Sequence, residues 1–167
     1  MGLAIGRDGN LIAADTNNHR IQKMTPEGKF LMTWGSQGNK EGYFVRPHAI
    51  AVDAQGNLYV VDASDSRIQK FSAEGKFLKQ WDIPIPTGNR QRVEPTTIAF
   101  DQSDRLFVPD MRHQQVLIYS TEGQLLGQWK EWSGGRFSRP AGVAVDKDGC
   151  VYVTDLGNHA VYKFKLP

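Results

Sequence analysis

His48–Asp62 reads HAIAVDAQGNLYVVD, two short β-prone runs on either side of a polar AQGN step. Val, Ile and Tyr favour the extended chain, and a Gly in the connection supplies the positive φ that a tight hairpin needs. The stretch is therefore an antiparallel hairpin. Leu58 and Val60 point to one side of it and Tyr59 and Val61 to the other, so both faces of the sheet are apolar and both must be covered. RIQKFS (67–72) and KFLKQW (76–81), joined by another Gly-containing turn, add two more strands. One unit is a four-stranded antiparallel sheet.

The same text returns as GLAIGRDGNLIAAD (2–15), TTIAFDQSDRLFVPD (96–110) and AGVAVDKDGCVYVTD (141–155). The closing aspartates, Asp15, Asp62, Asp110 and Asp155, recur at intervals of 47, 48 and 45 residues, which places the repeat units at approximately 1–47, 48–95, 96–140 and 141–167. A period of this length signals a solenoid, a propeller or an array. No window of ten or more residues free of Gly and Pro holds a helical period, which disfavours helical repeats. Sheets apolar on both faces and buried by copies of themselves are propeller blades. The expected fold is all-β: a β-propeller of four-stranded antiparallel blades, about three complete and three strands of a fourth, in a single arc over 1–167. Within the third unit, Asp104 stands where the other first hairpins have Gly, and it reads as a variant turn, because Asp tolerates the left-handed region. Phe30 and Trp34, Phe77 and Trp81, and Leu125 and Trp129 lie four apart in the outer strands. They are expected to share a face and to pack between blades.

Among 167 residues, 20 Lys and Arg oppose 18 Asp and Glu, 40% are hydrophobic and 23% charged, an ordinary globular composition. A net charge of +2 is too weak to argue for nucleic acid or an anionic membrane. No segment approaches the ~18 consecutive apolar residues of a membrane span, and MGLAIGRDGN has neither the basic start nor the apolar run of a signal peptide. The expectation is a soluble chain whose compartment is open. Cys150 is the only cysteine, which excludes an internal disulfide and a thiolate metal cluster.

Naming the strands of a blade a to d, an antiparallel meander puts the b-to-c and d-to-a connections on one end and the remaining turns on the other. The first end carries the long loops 35–47, 82–95 and 130–140, and long loops on a rigid scaffold concentrate function. All four histidines fall here: His19, His113 and His159 in b-to-c loops, and His48 at the opening of an inner strand, where it should look into the channel mouth. His19 and His159 read as loop-stabilising residues. The positions corresponding to His48 are Met1, Thr96 and Ala141, so a symmetric three-histidine zinc site is absent. Lys40, Arg46, Arg90, Arg92, Arg136 and Arg139 gather in the long loops beside Tyr43, Phe44, Trp132 and Phe137, a pairing that suits phosphate and stacked bases. The preferred reading is that Phe44 and Phe137 pack beneath their loops while the charges are solvated. The closing aspartates read as structural: Asp15 and Asp62 precede Arg20 and Arg67 by five residues and should pair with them. Where Gln115 and Ala160 replace the Arg, Asp110 and Asp155 should rely on backbone N–H groups.

DTNNHRIQKM followed by TPEGKFLMTWGSQG, and the later DLGNHAVYKF, resemble the NHL-repeat family, with Asn18–His19 and Asn158–His159 at the signature positions. Units two and three depart from it with Asp65–Ser66 and His113–Gln114. The resemblance implies β-propellers, commonly six-bladed, that bind proteins or RNA or, in some branches, host enzymes. RPHAIAVD also resembles the strand openings at which peptidyl-hydroxyglycine amidating lyases carry zinc-binding histidines, with His48 at that position. Two classes of function follow. The leading one is a non-catalytic scaffold that binds a protein or other macromolecule, RNA included, through Arg46, His48, Arg90, Arg92, Arg112, His113, Arg136 and Arg139. The other is a metal-dependent lyase with zinc or calcium, in which His48 is a ligand or base. An arc of fewer than four complete blades leaves apolar faces and a strand edge uncovered, so further blades of a longer chain, self-association or a compact four-bladed ring should close it.

Overall fold

The computed structural model describes residues 2–84 and 95–165. Two compact units divide the chain, Met1–Arg92 and Val93–Pro167. The first holds two antiparallel sheets. Blade I is β1 (Leu3–Ile5), β2 (Leu11–Asp15), β3 (Arg20–Met24) and β4 (Phe30–Trp34); blade II is β5 (Pro47–Val52), β6 (Leu58–Asp62), β7 (Arg67–Phe71) and β8 (Phe77–Asp82). In the second unit, blade III is β9 (Ala99–Phe100), β10 (Leu106–Asp110), β11 (Gln115–Tyr119) and β12 (Leu125–Trp129). A small hairpin, β13 (Glu131–Trp132) and β14 (Gly135–Arg136), leads into three-stranded blade IV, β15 (Pro140–Val145), β16 (Cys150–Asp155) and β17 (Ala160–Lys165). Among the described residues, three sheets thus have four strands and one has three, in sequential up-and-down order, as the repeat predicts.

The hairpin turns follow from their residues. Gly9, Gly56 and Gly149 take positive φ at equivalent positions, and Asp104 takes the same left-handed conformation at φ 55°. The variant turn keeps its geometry without Gly because a short polar side chain tolerates that region.

Each blade has two dissimilar faces. In the first unit, Ala4, Ile12, Ala14, Ile21 and Trp34 of blade I form one core with Ile50, Leu58, Val60, Phe71 and Phe77 of blade II, and Phe44 caps it from the intervening loop. In the second unit, Phe107, Val116 and Trp129 of blade III meet Val143, Val151, Val153, Tyr162 and Phe164 of blade IV, with Phe137 in the place of Phe44. The pattern is directional. Blades I and III each offer a leading face to the blade that follows in the same unit, and blades II and IV each a trailing face to the one before.

One expectation about the outer strands is corrected. Ile21 pairs with Trp34 while Met24 pairs with Phe30, which leaves one extra residue in β4. Blades II and III carry the same shift in their outer strands. A β-bulge of this kind reverses the side on which subsequent residues point. Trp34 and Phe30 therefore lie on opposite faces, as do Trp81 and Phe77, and Trp129 and Leu125. Trp34 meets Phe71 of blade II at 6.2 Å between centroids, Trp129 meets Phe164 of blade IV at 4.1 Å, and Phe77 of blade II packs the other way into the core with blade I, whereas Phe30 is exposed. Leu31, Leu78 and Leu126, the inserted residues, are exposed.

Candidate functional site

The closing aspartates fasten the long loops to the sheets. Asp62 is fully buried and accepts the backbone N–H of Val45 at 3.0 Å and of Arg46 at 2.6 Å. Asp155 accepts Ser138 and Arg139 N–H, both at 2.8 Å. A second bond completes each clasp, since the Ala63 N–H donates to the Arg46 carbonyl and the Leu156 N–H to the Arg139 carbonyl, each at 3.0 Å. Arg46 and Arg139 are thus equivalent. Their backbones are pinned while their side chains are exposed.

Burial pushes the Asp155 carboxyl up, but the N–H groups of Ser138, Arg139, Asn158 and Gly157 outweigh it and hold it below the usual carboxylate range. Asp15 is also held low, by the Asn18 amide and the Arg20 guanidinium, which sits 2.9 Å away. Arg67 reaches further: it meets Asp62 at 3.1 Å and also donates to the carbonyls of Asn39 and Tyr43 in the preceding loop. Asp110 departs from the backbone-only pattern expected of it. His113 Nδ1–H donates to it at 2.7 Å and the Gln115 amide at 2.9 Å, with the His113 N–H at 3.2 Å. The repeat alignment marks position 113 but does not show that its ring turns back on the aspartate.

The signature positions have a common backbone. His19, Ser66, Gln114 and His159 each lie four residues beyond a closing aspartate, and all four are non-Gly residues at φ 50–56°. Such a conformation costs roughly 1–2 kcal/mol and persists because the loop around it is fixed. His19 Nδ1–H donates to the Val45 carbonyl at 2.7 Å, and the Asn18 amide binds both Asp15 oxygens. The Asn158 amide bridges Asp155 and the Arg136 carbonyl.

His48 is half-buried and occupies the bulge between Pro47 and Ala49, outside the regular register of β5 with β6. Ala141 is the bulge residue at the equivalent place in blade IV. With Arg46, Asp15, Thr16 and Asn17, His48 lines a cleft of about 280 Å³. Thr16 Oγ donates to the Pro47 carbonyl at 2.8 Å and holds the two sides of the cleft together. Thr16 and Asn17 were not among the sequence candidates; their place directly after a closing aspartate was the available signal. In the second unit, His113 and Arg136 share a smaller cleft of about 160 Å³ with Gln114, Lys130, Glu131 and Phe137. Arg112 and Arg136 are exposed. Arg90 and Arg92 lie outside the described residues.

The rings proposed for base stacking are mostly committed to packing. Phe44 and Phe137 are buried, and Trp132 packs in tilted contact with Phe137 and Tyr162, at 5.0 and 4.6 Å between centroids. Tyr43 alone of the four is exposed. No three His, Cys, Asp or Glu side chains converge as a metal site among the described residues. The residues beside His48 are one carboxylate, two neutral polar side chains and an arginine cation, which do not fit a zinc centre.

A family model described as NHL repeat matches residues 2–24, 44–71 and 137–164. The protein brain tumor of Drosophila melanogaster is 39% identical over 51 residues, a stretch that covers 30% of this chain and 5% of that protein. A catalytically inactive virginiamycin B lyase from Staphylococcus aureus, solved with quinupristin, superposes with a TM-score of 0.76 at 19% identity, over 97% of this chain and 50% of that one. A chain of a nidogen/laminin complex superposes with a TM-score of 0.72 at 19% identity, over 99% of this chain and 60% of that one. The chain therefore spans about half the length of these solved structures. At this identity the likeness establishes the β-propeller fold and carries no activity across.

Proposed function

This chain belongs with the NHL-repeat β-propellers, and from that premise we propose that it is a non-catalytic scaffold that binds an acidic surface of a partner protein through the loop ends of its blades. The observation that carries the reading is the paired clasp at Arg46 and Arg139. A buried carboxylate fixes the backbone of each arginine, and both residues are exposed. An arginine held in this way loses less conformational entropy on binding, and Arg is enriched among residues that dominate interfaces. His48, Arg112, His113 and Arg136 belong to the same loop ends, and Arg90 and Arg92 extend the proposal. The solved nidogen/laminin complex shows that a chain of this fold takes part in a protein–protein assembly.

Arrayed acidic peptides, probed with the wild type and with the Arg46→Glu/Arg139→Glu variant, test this. The expected result is salt-sensitive binding that the variant loses by tenfold or more, and equal binding by both proteins overturns the reading. Homopolymeric single-stranded RNA is the parallel probe. RNA binding with a steep salt slope that falls in the variant would favour the nucleic-acid alternative, but of the four rings such a site would use only Tyr43 is exposed.

A further inference from the structure

Blades II and IV share a fitting of tyrosine, aspartate and lysine. Tyr59 donates to Asp53 at 2.9 Å with the Lys70 ammonium 5.4 Å from its ring centroid, and Tyr152 donates to Asp146 at 2.9 Å with Lys163 at 5.2 Å. Blade III keeps a ring and a carboxylate at the same positions, Phe107 and Asp101. Counted back from its closing aspartate, blade I has Ile12 and Gly6 there, and Lys23 in the place of the lysine. It is the one repeat that lacks both the ring and the carboxylate.

A cleft of about 310 Å³ opens at this place, between blades I and II. Ile12, Leu58 and Met32 are its apolar lining, and Arg7, Asp8, Lys23 and Glu74 contribute charges to it from the strands and short turns. Lys23 is only 9% exposed and has no ring to cover. Its Nζ turns instead to Asp8 at 2.7 Å and to the Ala73 carbonyl at 3.1 Å, which leaves one of three ammonium N–H donors without an acceptor among the described residues. Arg7 Nε donates to the Asp53 carbonyl at 3.4 Å, and the two terminal nitrogens of its guanidinium have no partner among the described residues. Glu74 is exposed, with its carboxylate braced by the Ser72 hydroxyl at 2.8 Å.

We propose that this cleft binds a free α-amino acid with an aromatic side chain. The ring takes the space that Tyr59 and Tyr152 fill in their own blades, against Ile12, Leu58 and Met32, whose thioether suits contact with a ring. The α-carboxylate meets the Arg7 guanidinium and the remaining Lys23 N–H, and the α-ammonium meets Glu74. Because Asp8 is already paired with Lys23, the cleft offers one open cation and one open carboxylate, a balance that favours a zwitterion over an acid or an amine alone. Its volume lies at the lower end of small-ligand sites. The cleft belongs to the short-turn end of the blades, so it does not depend on the reading of the loop arginines.

The test is isothermal titration of the wild type, Arg7→Gln and Glu74→Gln with L-phenylalanine, and of the wild type with L-alanine, N-acetyl-L-phenylalanine and L-phenylalaninamide. Both substituted residues are exposed, and circular dichroism verifies the folding of the variants. The wild type is expected to bind L-phenylalanine saturably and one to one, and either substitution to weaken binding about tenfold or more. Blocking the ammonium, blocking the carboxylate or removing the ring from the ligand should each cost about tenfold as well. Absence of saturable binding at millimolar L-phenylalanine overturns the proposal. So does unchanged affinity in either variant, or any of the three other ligands binding as tightly as L-phenylalanine.

Discussion

Asp155→Asn isolates the clasp that holds Arg139. Asp155 Oδ1 accepts the N–H groups of Arg139, Gly157 and Asn158 at 2.8, 3.0 and 3.2 Å, while Oδ2 accepts Ser138 N–H and the Asn158 amide at 2.8 and 3.0 Å. Every partner is a donor. An asparagine must turn its NH₂ toward one of the two sets, and the less damaging orientation sets it against Ser138 and Asn158. Two charge-assisted bonds at a minimum of about 1.5 kcal/mol each are then lost, a cost of about 3 kcal/mol. With a urea dependence of about 2 kcal/mol per M, the unfolding midpoint should fall by roughly 1.5 M. Hydrogen exchange should locate the damage at the Ser138 and Arg139 amides. The folded carboxyl is held below its ordinary value, so its contribution is complete above the unfolded pKa of about 3.9 and disappears as pH falls through the folded one. The gap between wild type and variant should therefore narrow below about pH 4. A midpoint shift under about 0.5 M, with exchange at both amides unchanged, would refute the reasoning.

Arg67→Ala should cost about 3–5 kcal/mol in urea unfolding, because it strands the buried Asp62 and two loop carbonyls, whereas Arg20→Ala should cost about 1 kcal/mol or less; the two guanidinium side chains are 5% and 39% exposed. Gly75→Ala should destabilise by at least about 1 kcal/mol more than Gly28→Ala, since both take positive φ but only at Gly75 would a Cβ strike the Trp34 ring, at 2.8 Å. The Asp8 carboxyl, hydrogen-bonded by Lys23, titrates at about 2. Its contribution should be intact above about pH 4 and fade as pH falls toward that value, an acid response that Asp8→Asn should lack when the unfolding midpoint is followed against pH. Elemental analysis for zinc and calcium should give the same content in wild type and His48→Ala; a stoichiometric metal that the substitution removes would instead restore the lyase alternative.

Much of the loop end was legible because it repeats. The aspartate–arginine pairs at Asp15 and Asp62 and the backbone cradle of Asp155 follow from spacing alone, as does the placement of His48 at a strand opening. The His113–Asp110 contact was not legible, because a spacing of three residues in a loop does not say which way the ring turns. The burial of Phe44 and Phe137 beneath their loops was expected and is found, but the strands they pack on were not legible, because those neighbours lie far away in sequence.

Local patterning determined the sheets, their antiparallel order and their turns, since strand propensity, alternation and positive-φ residues act over two to ten positions. Tertiary structure alone decided which side of a blade each ring serves. A one-residue bulge, set by how β4, β8 and β12 seat against their neighbours, reverses Phe30 against Trp34, Phe77 against Trp81 and Leu125 against Trp129. Counting along the chain cannot see that reversal, because it arises from pairing across strands.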